Sequence, residues 1–170
     1  MTSRYTRTSI FQWNCNGLQN KMAAFRNFVY RHQIPILAIS EARVERSFRL
    51  SNYASYQSEN PIGRSRAMLC VRKDIPSTVI STSSDQNFEY VICRLRMNDR
   101  NLVVASVYIA PSVHIAADHL VSFFRLLSQN FIVCGNFKAH GCTWGSEHDD
   151  ARGQTLQQCL EKFDAITLND

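Results

Sequence analysis

Two short runs of wholly apolar residues place the tightest limits on the fold of this chain. Residues 36–39 and residues 131–134 are apolar at every position, and both runs are short for a helix. A run that is apolar on both faces predicts a strand buried inside a layered structure. Each run follows a segment in which apolar residues recur at helical spacing, at residues 17–32 and 115–128. The pattern therefore predicts buried strands covered by helices.

The other predicted elements follow in close succession, without a repeat, a low-complexity block or a linker. The further strands are predicted at residues 9–14, 67–72, 77–82, 88–97, 101–109 and 165–168, and a third helix at residues 152–163. This order predicts a single α/β domain, a four-layer α/β sandwich in which two mainly antiparallel sheets pack face to face between helices. We assign the domain to residues 9–170, after a flexible basic arm at residues 1–8.

Positive charge is concentrated near the N-terminus. The formal net charge is +5, and residues 1–50 hold eight Arg or Lys against two Glu. Such a cluster can neutralise the phosphates of DNA or RNA, although a solvated helix face with a loose basic arm explains it equally well. Six cysteines without a Cys-x-x-Cys pair argue against a zinc site and for a reduced, intracellular protein. No apolar run approaches about 18 residues, so we expect no membrane span.

Polar residues directly follow four of the predicted strands: Asn14, Glu41, Tyr108 and Asn136. Because ligands of layered α/β folds gather at the carboxyl ends of central strands, we expect these four side chains to converge on one edge. A carboxylate, amides and a phenol suit a hard cation that holds a phosphate. Simpler alternatives are a helix cap for Asn14, an ion pair with Arg43 for Glu41 and a core position for Tyr108.

A second group of polar residues follows the later of the two apolar runs. The alternation after Gly135 places the side chains of Asn136, Lys138 and His140 on one side. Trp144 then lies in a loop, where its ring can stack on a ligand or simply cover the core. A lone His such as His140 is more often structural than functional.

In their order along the chain, these motifs resemble those of the endonuclease/exonuclease/phosphatase superfamily, particularly the apurinic-type endonucleases of non-LTR (LINE or jockey-like) retrotransposons. The matching stretches are residues 12–18, 39–41, 67–75, 106–111 and 135–153. The resemblance implies a Mg²⁺-dependent endonuclease that nicks target DNA and leaves a 3′-hydroxyl to prime reverse transcription. It also implies a DNA partner and a nuclear location for an active enzyme.

The resemblance further implies which residues form the site. Asn14 and Glu41 would hold the metal, and Tyr108 would donate to the substrate phosphate. The full set of implied catalytic residues is Asn14, Glu41, Tyr108, Asn136, Lys138 and His140. The residues implied to contact nucleic acid are Arg43, Arg46, Lys138 and Trp144.

Two residues depart from the family pattern, which has Asp where this chain has Asn136 and Asn where it has Lys138. The first change removes the carboxylate that would activate water, and the second adds a cation. We therefore expect Mg²⁺ binding to be weak or lost and the enzyme to be impaired. A Ser-Asp-His segment of the family would fall after residue 170, so we expect a sandwich that is incomplete at its C-terminus. The alternatives are an inactive nucleic-acid-binding remnant and a small-molecule phosphoesterase of the same superfamily.

Overall fold

The computed structural model describes residues 8–60, 63–83, 85, 87–97, 100–127 and 130–168. Within these residues the chain forms eight strands and three α-helices. The strands are β1 (Ile10–Asn14), β2 (Ile36–Val44), β3 (Tyr53–Gln57), β4 (Ser65–Arg72), β5 (Ser77–Thr82), β6 (Phe88–Met97), β7 (Arg100–Ile109) and β8 (Phe131–Asn136). The helices are α1 (Met22–His32), α2 (Ala117–Arg125) and α3 (Ala151–Lys162).

The strands form two four-stranded sheets. The first sheet has the order β1-β2-β4-β3 and the second has the order β5-β6-β7-β8. The pairs β1–β2 and β7–β8 are parallel, and every other pair is antiparallel. Parallel neighbours need a crossover connection, which α1 supplies between β1 and β2 and α2 supplies between β7 and β8. Each sheet thus has one parallel pair at its edge. Strand β8 is an edge strand with only partly buried residues, so the prediction of a fully buried strand at residues 131–134 was wrong, because a strand with a neighbour on one side only is less covered.

Apolar side chains fill the space between the two sheets and the space beneath the helices. The layer between the sheets joins Ala38 and Leu69 of the first sheet to Val91 and Val104 of the second. A second cluster packs α1 on the outer face of the first sheet, and a third packs α2 and α3 on the outer face of the second. The order helix, sheet, sheet, helix confirms the predicted four-layer α/β sandwich.

Two predicted features differ from the structure. Residues 165–168 do not form a strand, and Ile166 and Leu168 are 81% and 75% exposed. A strand requires a neighbouring strand for its hydrogen bonds, and apolar composition alone does not supply one. Residues 53–57 form the edge strand β3, which was not predicted because its Tyr-Ala-Ser-Tyr-Gln sequence has few aliphatic residues.

Several element boundaries also differ from the predicted ones. Helix α1 begins at Met22, after a short 3₁₀ turn at Gln19–Lys21, and β2 continues past Ile39 to Val44. Residues 1–7 of the predicted basic arm lie outside the described residues. Among the described helices, none has the length and apolar character needed to cross a membrane.

Candidate functional site

The carboxyl end of β2 carries Glu41 on an irregular piece of backbone. Ser40 pairs with Ala67 of β4, and the next paired residue of β2 is Val44. Residues 41–43 are therefore left out of the regular ladder. Both Glu41 and Arg43 have positive φ angles, of 54° and 50°. Positive φ is uncommon for residues other than glycine, and such strained backbone is often found at functional sites.

The Glu41 carboxylate is buried and is contacted by three side chains. Asn14 at the end of β1 donates a hydrogen bond from Nδ2 to Glu41 Oε1 over 3.0 Å. The Lys138 ammonium lies 3.4 Å from the same oxygen, and the Arg43 guanidinium lies 3.8 Å from Oε2. Glu41 is 9% exposed, so these contacts replace most of its water. The carboxylate is thus matched by two protein cations and one amide.

Lys138 reaches Glu41 from the opposite sheet. Asn136 ends β8, and its Oδ1 accepts a hydrogen bond from the Lys138 backbone N–H over 3.1 Å. Within this turn Lys138 has a φ of 51°. The two sheets also meet nearby, where Ser106 Oγ of β7 donates to the Ile39 carbonyl of β2 over 3.1 Å. The contact of Lys138 with Glu41 therefore joins the end of β8 to the end of β2, where Asn14 of β1 also bonds Glu41.

Tyr108 and Asn136 lie in one row across the second sheet. Tyr108 of β7 is in register with Asn136 of β8 on one side and with Glu89 of β6 on the other. The ring of Tyr108 is 6% exposed and lies 5.0 Å below the guanidinium of Arg66. Arg66 belongs to β4 and lies opposite the irregular segment of β2. Tyr108 is therefore both a buried aromatic and part of the polar strand-end region.

Sequence reasoning missed a buried ion pair in this region. Glu89 is fully buried, and its carboxylate accepts from Arg66 through both the backbone N–H at 2.8 Å and Nε at 2.7 Å. Ser58 Oγ and Asn60 Nδ2 complete its shell, at 2.5 and 3.0 Å. A carboxylate inside the apolar strand at residues 88–97 is the signal that could have revealed it.

A neighbouring thiol is structural. Cys15 is 1% exposed, and its Sγ donates to the Glu41 carbonyl over 3.5 Å. Burial raises the pKa of the Cys15 thiol, so it remains protonated near neutral pH. A protonated thiol is a weak donor and a poor nucleophile. Cys15 therefore supports the backbone of Glu41 without adding a reactive group.

The segment after β8 is held by one arginine. The Arg152 guanidinium donates to the carbonyls of Phe137 and Lys138, each at 3.2 Å. It also donates to the carbonyls of Ala110, Pro111 and Val113 in the connection from β7 to α2. One charged group thus fixes the segment that carries Lys138 against the connection that follows Tyr108.

Two glycines permit this close packing. Gly135 has a φ of 152°, and a Cβ there would lie 2.1 Å from the Val107 carbonyl oxygen. A Cβ at Gly153 would lie 1.8 Å from the His140 carbonyl oxygen. Any side chain at either position would therefore displace the backbone around the site.

The remaining predicted residues do not contact the Glu41 carboxylate. The His140 ring is exposed and stacks on His148 at 5.5 Å. Trp144 is partly buried on the core beneath α3, and its Nε1 donates to the Ala139 carbonyl over 3.3 Å. Arg46 lines a separate groove with Tyr56 of β3. The structure therefore brings Asn14, Glu41, Arg43, Asn136 and Lys138 together and places Tyr108 nearby. His140 and Trp144 line one pocket with Asn136 and Lys138 but do not contact the carboxylate.

The side chains around Glu41 do not fit Mg²⁺ in this arrangement. In favour of a cation, the Oδ1 atom of Asn14 and the Oγ atom of Ser40 are buried and have no hydrogen-bond partner among the described residues. Against it, one carboxylate already contacts Lys138 and Arg43, which leaves the group with a net charge of +1. Neutral amide and hydroxyl oxygens do not offset that charge, and Mg²⁺ sites are built on carboxylates. The described residues also contain no cluster of three or more metal-binding side chains.

Comparisons with known proteins agree with this fold. The family described as Endonuclease-reverse transcriptase matches residues 102–170. The RNA-directed DNA polymerase from mobile element jockey of Drosophila funebris is 30% identical over 155 residues, which cover 87% of this chain and 17% of that protein. The chain thus spans under a fifth of the curated relative's length.

Solved structures give the same result. The endonuclease domain of TRAS1, a telomere-specific non-LTR retrotransposon, superposes with a TM-score of 0.81 at 23% identity, over 95% of this chain and 74% of that chain. TDP2 of D. rerio, solved with a single-strand DNA product, superposes with a TM-score of 0.58 at 12% identity, over 96% of this chain and 67% of that chain. Domains of the endonuclease/exonuclease/phosphatase superfamily typically depend on a divalent metal. The resemblance inferred from the sequence is confirmed: in sequence and in fold, the chain matches the endonuclease domain of non-LTR retrotransposons, within the endonuclease/exonuclease/phosphatase superfamily.

Proposed function

We propose that this domain uses the carboxyl ends of its β-strands to bind the phosphate backbone of DNA. We also propose that its metal-dependent nicking of DNA is impaired or lost. The observation that carries the proposal is the Lys138 ammonium 3.4 Å from the Glu41 carboxylate. Glu41 is the carboxylate that the family resemblance implies as a metal ligand. A protein cation at this carboxylate opposes the binding of a divalent ion by direct repulsion.

Loss of the general base should impair cleavage further, beyond the effect of weak metal binding. Asn136 replaces the carboxylate that the family resemblance implies as the group that activates water. Its Oδ1 accepts a hydrogen bond from the Lys138 backbone, so the amide has a structural task. Metal-assisted hydrolysis needs an activated water, and an amide cannot take the proton from it. Binding of DNA without efficient cleavage is the consequence.

Positive charge at the same edge supports a nucleic-acid partner. The side chains of Arg43 and Lys138 are 55% and 36% exposed, so both are accessible to a ligand. The relatives named above belong to mobile elements or act with DNA, and a DNA target implies action in the nucleus. The role of Asn14 in this proposal is to hold Glu41, and that of Tyr108 is to flank the bound phosphate.

Nicking is tested with supercoiled plasmid and Mg²⁺, with Glu41→Ala as the matched control. We expect no nicking above this control. Nicking by the native protein that depends on both Mg²⁺ and Glu41 would contradict the proposed impairment.

DNA binding is tested by filter binding across a salt series. The affinity should fall as salt rises, because binding to phosphates releases counterions. An affinity that is insensitive to salt, or no binding at low salt, would refute the proposed DNA contact.

A further inference from the structure

We propose that the Lys138 ammonium takes the place of a divalent ion at this site, so that the site binds a phosphodiester of the DNA backbone without any metal. This inference rests on the proposed DNA binding and goes beyond it, because it names the group that holds the phosphate. In this arrangement Glu41 serves as the anchor of a protein cation and no longer as a metal ligand.

The position of Lys138 is fixed from three directions. Its backbone N–H is bonded to Asn136 Oδ1 at 3.1 Å, its carbonyl accepts from Arg152 at 3.2 Å, and its ammonium contacts Glu41 at 3.4 Å. A surface lysine ordinarily samples many rotamers and loses that freedom on binding a ligand. Two of these contacts fix the backbone of Lys138 and the third holds its ammonium at Glu41, so part of that freedom is already lost.

The chemistry of the ammonium fits a phosphate oxygen. A lysine ammonium is a compact point charge that carries three donors. Glu41 accepts one contact, and the side chain of Lys138 is 36% exposed. A metal ion would contribute positive charge and oriented contacts to the phosphate oxygens, and the ammonium contributes both in a weaker form.

The local charge balance favours an anion of charge −1. Lys138 and Arg43 contribute two positive charges, and Glu41 contributes one negative charge, for a net +1. A backbone phosphodiester carries one negative charge and neutralises this group. Arg66, whose guanidinium lies over the Tyr108 ring at 5.0 Å, adds a further cation on β4 beside the site. Its charge is matched by Glu89 at 2.7 Å, so the excess remains with Lys138 and Arg43.

The primary test measures the fluorescence anisotropy of a labelled DNA oligonucleotide without terminal phosphates. Titrations are run in EDTA and in Mg²⁺ at matched ionic strength. The affinity in EDTA should equal or exceed the affinity in Mg²⁺. Binding that requires Mg²⁺ would overturn this inference and leave the DNA-binding proposal intact, whereas no binding in either buffer would refute the DNA-binding proposal itself.

Two substitutions separate a lysine-based site from a metal-based site. Lys138→Gln should weaken binding in EDTA by at least fivefold and lower the salt slope by about 0.9, the value for one lost phosphate contact. Glu41→Gln should tighten binding in EDTA by about three- to tenfold, since it raises the local net charge from +1 to +2. The amide oxygen of the Gln side chain can still accept from both Asn14 and Lys138, which contact the same oxygen of Glu41, so Lys138 keeps its anchor. A site that needs a metal would instead lose affinity when Glu41 is replaced.

The matched control is Lys73→Gln. Lys73 is exposed and follows β4, at the opposite end from the segment paired with Val44 of β2. This change removes the same charge from the chain and should alter affinity less than twofold. An equal loss for Lys73→Gln and Lys138→Gln would overturn the inference, because it would show that only total charge matters.

Two further results would also count against it. Glu41→Gln that weakens binding as much as Lys138→Gln would overturn it, provided both variants retain the native melting temperature. If Glu41→Gln does not fold, the EDTA comparison and Lys138→Gln decide the matter. Binding only by oligonucleotides that carry a terminal phosphate would overturn the assignment to the backbone phosphodiester.

Discussion

Restoring the two family residues should restore metal binding. In the double variant Asn136→Asp with Lys138→Asn, the first change adds a negative charge and the second removes a positive charge. Asn adopts the left-handed backbone more readily than most residues, so it should tolerate the φ of 51° at position 138. The change is therefore electrostatic, with little added backbone strain.

The size of the effect follows from the distances at Glu41. Two unit charges 4 Å apart interact by about 4 kcal/mol at an effective dielectric near 20. The Lys138 side chain is 36% exposed, so solvent reduces this to about 1 kcal/mol, the upper range for exposed pairs. A divalent ion doubles each contribution and two charges change, which gives about 4 kcal/mol, or about a thousandfold in the Kd for Mg²⁺.

Isothermal titration calorimetry with Mg²⁺ measures this gain directly. The control adds Glu41→Ala to the double variant and should lose most of it. A folded double variant whose Mg²⁺ affinity stays within threefold of the native value would refute the placement of the metal position at Glu41. The same gain of Mg²⁺ affinity in the variant that also carries Glu41→Ala would equally refute this placement.

Three further predictions concern the supports of the site and are tested by equilibrium unfolding. Glu89→Gln should lower the free energy of unfolding by about 3–5 kcal/mol, because it leaves Arg66 without its buried counter-charge; a loss below about 1 kcal/mol would contradict the ion pair. Arg152→Lys should lower the free energy of unfolding by about 2–3 kcal/mol, since an ammonium cannot reach carbonyls both after β8 and between β7 and α2. An unchanged unfolding midpoint would contradict this role of Arg152. Asp150 caps α3 by accepting from the Gly153 N–H over 2.6 Å; burial opposes its ionisation, but this hydrogen bond holds the pKa of Asp150 below its usual 3.8. A lowered folded-state pKa contributes stability above pH 3.8 that is lost as the pH falls through the folded value. Asp150→Asn should therefore reduce the loss of stability between about pH 4 and 2, and an unchanged pH profile would contradict the cap.

The sequence predicted the layers because apolar periodicity reports directly on burial. The runs at residues 36–39 and 131–134 lie in β2 and β8. The first is buried inside its sheet, whereas the second is an edge strand whose residues are only partly buried. The convergence of Asn14 with Glu41 followed from strand polarity, since both lie at the carboxyl ends of parallel neighbours. Such features depend on local pattern and on general rules of sheet topology.

Features that depend on contacts between distant segments were beyond the sequence pattern. Nothing in Glu41 or Arg43 indicates positive φ, because no glycine marks the irregular segment of β2. In the sequence, Arg152 has the pattern of an ordinary residue at the start of a helix. Its five carbonyl partners lie in the segment after β8 and in the connection from β7 to α2. The pairing of Arg66 with Glu89 joins the two sheets, and no spacing along the chain encodes it.

The contact between Lys138 and Glu41 explains how the carboxylate remains buried in this arrangement. An isolated carboxylate is strongly destabilised in a buried position unless a charge or hydrogen bonds compensate it. In a metal site the ion compensates it, and here Lys138 and Arg43 do so from 3.4 and 3.8 Å. The residue that we propose to oppose Mg²⁺ is therefore also one that stabilises Glu41 without it. On the proposal above, Lys138 in place of the family's Asn should have two linked effects, a lower affinity for metal and a lower dependence of the fold on metal, and both would follow from its contact with Glu41.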